Sequence, residues 1–209
     1  MQKVCWIDVE TTGLDKVKQD VIQIAGIIDI AGVEQERFEF KCQPHNWGDV
    51  QQRALDVHGF SLDDLRSFPT AAETKAKVCA ILESYVNKYD KTDKFVFAGY
   101  NSPFDYGFME EWFKKAGDTY FKSFFKNAYG YHSELIDTYQ DFIKYVRAVG
   151  TNLPNNKLVT AAAHFGIEFN AHDAMGDIDA TRQIDTILQD MFRVGAVKYW
   201  AGANADTPA

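Results

Sequence analysis

The chain has 209 residues, 46% hydrophobic and 25% charged, a balance that fits one folded domain with a sizeable core and excludes disordered, collagen-like and coiled-coil chains. Thirty acidic residues against 22 basic ones leave a formal charge of −8, which argues against a protein that coats duplex DNA through bulk electrostatics. The longest apolar runs, such as residues 24–28, fall far short of the roughly 18 residues that span a bilayer. Asp8 and Glu10 interrupt the N-terminus before a secretory apolar region can form, so the expectation is a cytoplasmic protein with no membrane contact. Cys5, Cys42 and Cys79 lack the paired spacing of a zinc site or a disulfide framework and read as reduced, buried thiols.

In chain order, residues 4–10 are β-branched and aromatic and end in the turn-prone Thr11-Thr12-Gly13. A second apolar run covers residues 21–30, and after Ala31-Gly32 residues 34–43 alternate charged with apolar side chains. This predicts a three-stranded meander with the third strand nearer a sheet edge. Residues 70–88 place Val78, Ile81, Leu82 and Tyr85 at helical spacing. Residues 94–100 predict a buried strand. Ser102-Pro103 then reads as a helix start, with Ser102 as cap and Pro103 first in the helix, so residues 104–115 should be helical with Asp105 in the first turn. Helical patterns recur at 133–149, 157–165 and 178–192. Strands followed by a strand and helices define a mixed α/β domain, expected over residues 1–195 with a short C-terminal tail at 196–209.

Three groups of residues carry chemistry. In Asp8-Val9-Glu10-Thr11-Thr12-Gly13-Leu14 the two carboxylates stand two apart on a strand and share a face. They form either a solvated acidic edge or a seat for a cation. Gly99-Tyr100-Asn101-Ser102-Pro103-Phe104-Asp105 puts another carboxylate at the next strand's end, and His172-Asp173-Ala174-Met175-Gly176-Asp177 leads into the last helix. In this order the blocks resemble the three motifs of the DEDDh 3′-to-5′ exonucleases, the ribonuclease-H-like group that includes polymerase proofreading subunits and ribonuclease T. Residues 54–59 and 136–138 resemble the family's intervening segments. Two positions depart from its pattern: Tyr100, where histidine is common, and Gly176, where an acidic residue is common.

The resemblance implies a ribonuclease-H-like mixed five-stranded sheet flanked by helices on both faces. It implies a metal-dependent exonuclease that shortens single-stranded DNA or RNA from the 3′ end to nucleoside 5′-monophosphates. Asp8, Glu10, Asp105 and Asp177 would hold two Mg2+ or Mn2+ ions, which suit hard oxygen donors. His172 would be the general base, since an imidazole titrates near neutral pH. Thr11, Thr12, Gly13 and Leu14 would frame the terminal nucleotide, with His58, Asn101 and Phe104 lining the strand's approach. A homodimer follows from ribonuclease T-like relatives, and a polymerase partner from the proofreading ones. The competing functions are a catalytically idle or proofreading module of a larger assembly and a hydrolase of very short oligonucleotides. The dense aromatics of residues 104–131, interleaved with lysines, are open to three readings: core, strand-stacking surface or self-association face.

Overall fold

The computed structural model describes residues 1–117, 120–126, 134–171 and 173–205, with side chains through residue 196. Five strands form one sheet: β1 (Lys3–Thr11), β2 (Val21–Ile30), β3 (Val33–Lys41), β4 (Phe95–Gly99) and β5 (Leu135–Asp137). Their order is β3-β2-β1-β4-β5. The first three strands pair antiparallel, with Asp8 opposite Ala25 and Glu10 opposite Gln23, and β4 joins β1 in parallel, with Cys5 opposite Phe97. β5 extends the parallel half. β3 is the edge strand the alternation predicts: Phe38 is buried between exposed Arg37 and Glu39.

The period of two along β1 divides the core. Cys5, Ile7 and Val9 point to one face, which is covered by α3 (Ala71–Tyr85) and α4 (Ser102–Lys115) through Val78, Leu82, Phe108, Met109 and Trp112. Trp6 points to the other face, beneath α7 (Ala174–Ala205), where Ala25, Ile27, Ala98, Ala174 and Ile178 join it. Asp8 and Glu10 continue the row that Trp6 begins. α5 (Thr138–Val149) and α6 (Leu158–His164) pack on α7 through Phe142, Ala161, Ile184 and Leu188. Helices therefore flank both faces of a mixed five-stranded sheet, as expected. Among the described residues no helix is long and apolar enough to cross a membrane.

The aromatic segment resolves as core where it is described. Trp112, Phe113, Phe121, Phe124 and Phe125 are all buried, while Tyr120 is exposed. Phe97 sits among them, its ring 5.3 Å from those of Tyr106 and Phe125. Tyr129 and Tyr131 lie outside the described residues.

Several boundaries differ from expectation. Residues 133–149 are not one helix: β5 occupies the start of the described part and α5 begins only at Thr138. Two short helices, α1 (Gln52–His58) and α2 (Leu62–Ser67), have no counterpart in the sequence reading. They are pinned by Leu55 and Leu65 against Ile22. The cap of α4 is Asn101, in the left-handed region at φ 64, and Ser102 is already helical and fully buried. The reason is tertiary: the Asp137 carboxylate collects the backbone N–H groups of Asn101 and Ser102, so the serine hydroxyl is not needed as a cap. α7 starts at Ala174 rather than 178 and runs unbroken across the expected 195/196 boundary to Ala205.

Candidate functional site

Three carboxylates meet at the C-terminal end of β1. One oxygen each from Asp8, Glu10 and Asp177 lies within 4.8 Å of the others. Asp8 and Glu10 arrive by strand alternation and Asp177 by the first turn of α7, whose Ala174 and Ile178 pack on the same face. Asp105, in the first turn of α4, is 4% exposed and stands behind this trio. Its Oδ1 accepts the Val9 N–H at 3.1 Å, which ties it to the backbone between the two β1 acids.

Burial and mutual repulsion raise the proton affinity of the group. Asp8 is held well above the usual carboxylate range, first by burial and then by Asp105, Asp177, Glu10 and Asp173. Glu10 is pushed up to about 7 by burial, with Asp177 and Asp173 adding to it. Burial also raises Asp105, against the opposing pull of the Val9 N–H. Such a set is costly without a positive charge at its centre. Hard, anionic oxygens converging from three elements fit Mg2+ or Mn2+, and among the described residues the cluster includes no thiolate or imidazole that would favour a softer ion.

Asp173 belongs to this electrostatic group, although the sequence reading did not single it out. Its Oδ2 accepts the Gly176 N–H at 3.3 Å and its carbonyl accepts the Asp177 N–H at 2.9 Å, so it caps α7 and orients the helix that carries Asp177. Gly176 has a packing cause: a Cβ there would lie 2.8 Å from the Asn170 carbonyl oxygen. An acidic residue would not fit without moving that backbone. His172 lies outside the described residues.

Beside the acids is a cavity of about 390 Å3, within the range of small-ligand sites. Thr11, Gly13, Leu14, His58 and Phe104 line it together with Glu10. Leu14 is 69% exposed at its mouth. The turn behind it is braced: Thr12 is fully buried, exchanges hydrogen bonds with Asp20 and accepts the Gln51 N–H at 2.9 Å. Asp20 in turn meets Lys115 of α4 at 2.7 Å. Thr12 is thus placed in the scaffold and not on the cavity. Asn101 is also elsewhere, in a hollow with Tyr100, Tyr139 and Asn155. The lining also includes Arg53 and Val57 of α1, which sequence reading missed. They stand five and one residues before His58, and only recognition of α1 as a helix would have put them beside it. A larger hollow of about 790 Å3 lies around Asp29 and Arg182. Those two charges already pair at 2.7 Å, and the hollow contains none of the clustered acids.

The RNase_T family model, described as Exonuclease, matches residues 5–184. The chain belongs to this exonuclease family, in its DEDDh branch. PolC-type DNA polymerase III of Oceanobacillus iheyensis is 27% identical over 83% of this chain and 10% of its own length, and that of Bacillus cereus is 27% identical over 90% and 11%. Among solved structures, E. coli Exonuclease I in complex with a dT13 oligonucleotide superposes with a TM-score of 0.71 at 20% identity, covering 96% of this chain and 43% of that one. A product-bound exonuclease I gives a TM-score of 0.71 over 91% of this chain and 44% of that one, also at 20% identity. The chain therefore spans about a tenth of its curated relatives and under half of these structural neighbours, whose likeness is one of fold.

Proposed function

We propose that this chain is a metal-dependent 3′-to-5′ exonuclease that releases nucleoside 5′-monophosphates from single-stranded DNA or RNA, with residues 1–195 as its nuclease unit. The observation that supports it most is the meeting of Asp8, Glu10 and Asp177 beside an apolar cavity. Two divalent ions held by Asp8, Glu10, Asp105 and Asp177 would supply Lewis-acid stabilisation of the developing negative charge and a nucleophile at neutral pH. The chain's own groups do the rest. His172 takes a proton at a ring nitrogen from the attacking water as the P–O3′ bond breaks and the 3′-oxygen leaves. Leu14 and Phe104 hold the terminal base, while Thr11 and Gly13 fix the backbone beside it. His58 suits a neutral contact, because burial lowers its proton affinity while its Nδ1 accepts the Phe60 N–H at 3.3 Å.

The likeness to PolC-type polymerases supports a second reading, in which the same chemistry serves proofreading beside a polymerase. Ribonuclease T-like relatives extend the proposal to a homodimer. The test is digestion of matched 5′-labelled DNA and RNA single strands with Mg2+, Mn2+ or chelator, using Asp8→Ala as control. A metal-dependent ladder shortening from the 3′ end, absent in the variant, is the expected result, and the preferred sugar separates RNA processing from DNA proofreading. If folded protein cleaves neither strand, the catalytic reading fails in favour of an idle module. Cleavage confined to very short oligonucleotides would replace the substrate class.

A further inference from the structure

Arg53, which lines the cavity, and Lys16, two residues after its Leu14, have no carboxylate within ion-pair distance among the described residues. Nearby cations are taken: Lys18 meets Asp15 at 3.7 Å and Lys115 meets Asp20 at 2.7 Å. Arg53, exposed on α1, lines the cavity, and its guanidinium donates to Gln51 Oε1 at 3.0 Å. Lys16 stands two residues after Leu14, is exposed, and lies across α4 at Gly107. A Cβ on Gly107 would be 2.9 Å from Lys16 Nζ and 3.1 Å from its Cδ. The lysine side chain therefore rests against the glycine. Gly107 is three residues after Phe104, which lines the cavity, so the two positions are neighbours on one helix face.

A glycine in a helix interior costs stability relative to alanine, and this one leaves room for the lysine. Two cations without a carboxylate partner thus stand close to a cavity whose one acidic lining residue is Glu10, in a chain of formal charge −8. A phosphodiester is the anion that fits an apolar pocket with cations at its rim, since its charge lies outside the base. We infer that Arg53 at the cavity and Lys16 beside α4 are phosphate-binding residues that grip the backbone of the strand whose 3′ terminus occupies the cavity. The inference rests on the exonuclease reading above and adds two strand contacts to it.

The test is fluorescence anisotropy of a 5′-fluorescein homothymidine oligonucleotide bound to the full chain in Ca2+, across a salt series. Each phosphate contact on a single strand contributes about 0.7 to the slope of log affinity against log salt. Lys16→Gln and Arg53→Gln should each flatten the slope by about that amount, and the double variant by about 1.4. At low salt each single variant should bind about two- to fivefold more weakly. Lys16→Arg should restore the slope. Gly107→Ala keeps every charge but fills the space beside the lysine, so it should weaken binding while the melting temperature holds or rises. Slopes equal to wild type in both glutamine variants, with matched melting curves, would overturn the inference and leave the exonuclease reading standing. Failure of the wild-type chain to bind any strand would sink that reading instead, and this one with it.

Discussion

Glu10→Gln in the metal-free protein should raise its stability near neutral pH. Glu10 is pushed from an ordinary 4.5 up to about 7, chiefly by burial and then by Asp177 and Asp173. At 1.36 kcal/mol for each tenfold change in proton affinity, this amounts to about 3 kcal/mol of destabilisation. The folded state holds the proton more tightly than the unfolded one, so the penalty is absent below about pH 4.5 and complete above about pH 7. Wild-type stability should therefore fall as pH rises through that window. Asp8 and Asp105, also raised, push in the same direction. Glutamine keeps the shape and removes the charge. Urea unfolding in chelator should show the variant more stable by up to about 3 kcal/mol at about pH 8, the gap closing towards about pH 4. Mg2+ should narrow or reverse the order, because ligation stabilises the wild type more than the variant. A flat wild-type profile between about pH 5 and 8, or a variant weaker than wild type at the upper end, would refute the argument that unneutralised acids strain this site.

Phe97→Ala should cost about 3–5 kcal/mol, because Phe97 is fully buried with two aromatic rings at 5.3 Å. Urea unfolding measures it, and a loss below about 1 kcal/mol would mean that the site collapses without leaving a cavity. Gly176→Ala should reduce Mn2+ binding in calorimetry. The new Cβ would meet the Asn170 carbonyl oxygen at 2.8 Å, so relief must move the turn that leads into Asp177. Affinity equal to wild type would show that the turn yields without disturbing the acids.

The two β1 acids were legible because a strand's period of two fixes their common face, and the Ser102-Pro103 signal was enough to put Asp105 in a first helical turn. Asp177 was placed by family resemblance alone, because nothing in chain spacing brings the last helix over β1. Asp173 was not singled out for the same reason: its nearness to Asp8 and Glu10 comes from the turn at Gly176. α1 and α2 have seven and six residues, shorter than helices that persist by local propensity, and they stand on Leu55 and Leu65 against Ile22. β5 has three residues and is defined by its pairing with β4. Composition could not separate the aromatic alternatives, because buried Phe121 and exposed Tyr120 are adjacent in sequence.

One face of β1 changes character part-way along its length. Trp6 belongs to the core beneath α7, and two residues later the same row becomes Asp8 and then Glu10. Parallel pairing carries β1 and β4 to the same end of the sheet, where α4 starts and Asp105 reaches back to the Val9 N–H. α7 lies over both halves of the row: Ala174 and Ile178 pack on Trp6 and Ala98, and Asp177 is adjacent to Ile178. The contact that secures the helix therefore also sets the distance between acids that repel. Apolar packing along α7 opposes the repulsion, which a bound cation would relieve. The separation of the acids is thus fixed by a packed part of the fold, while the charge that would neutralise them has to be supplied by a bound cation.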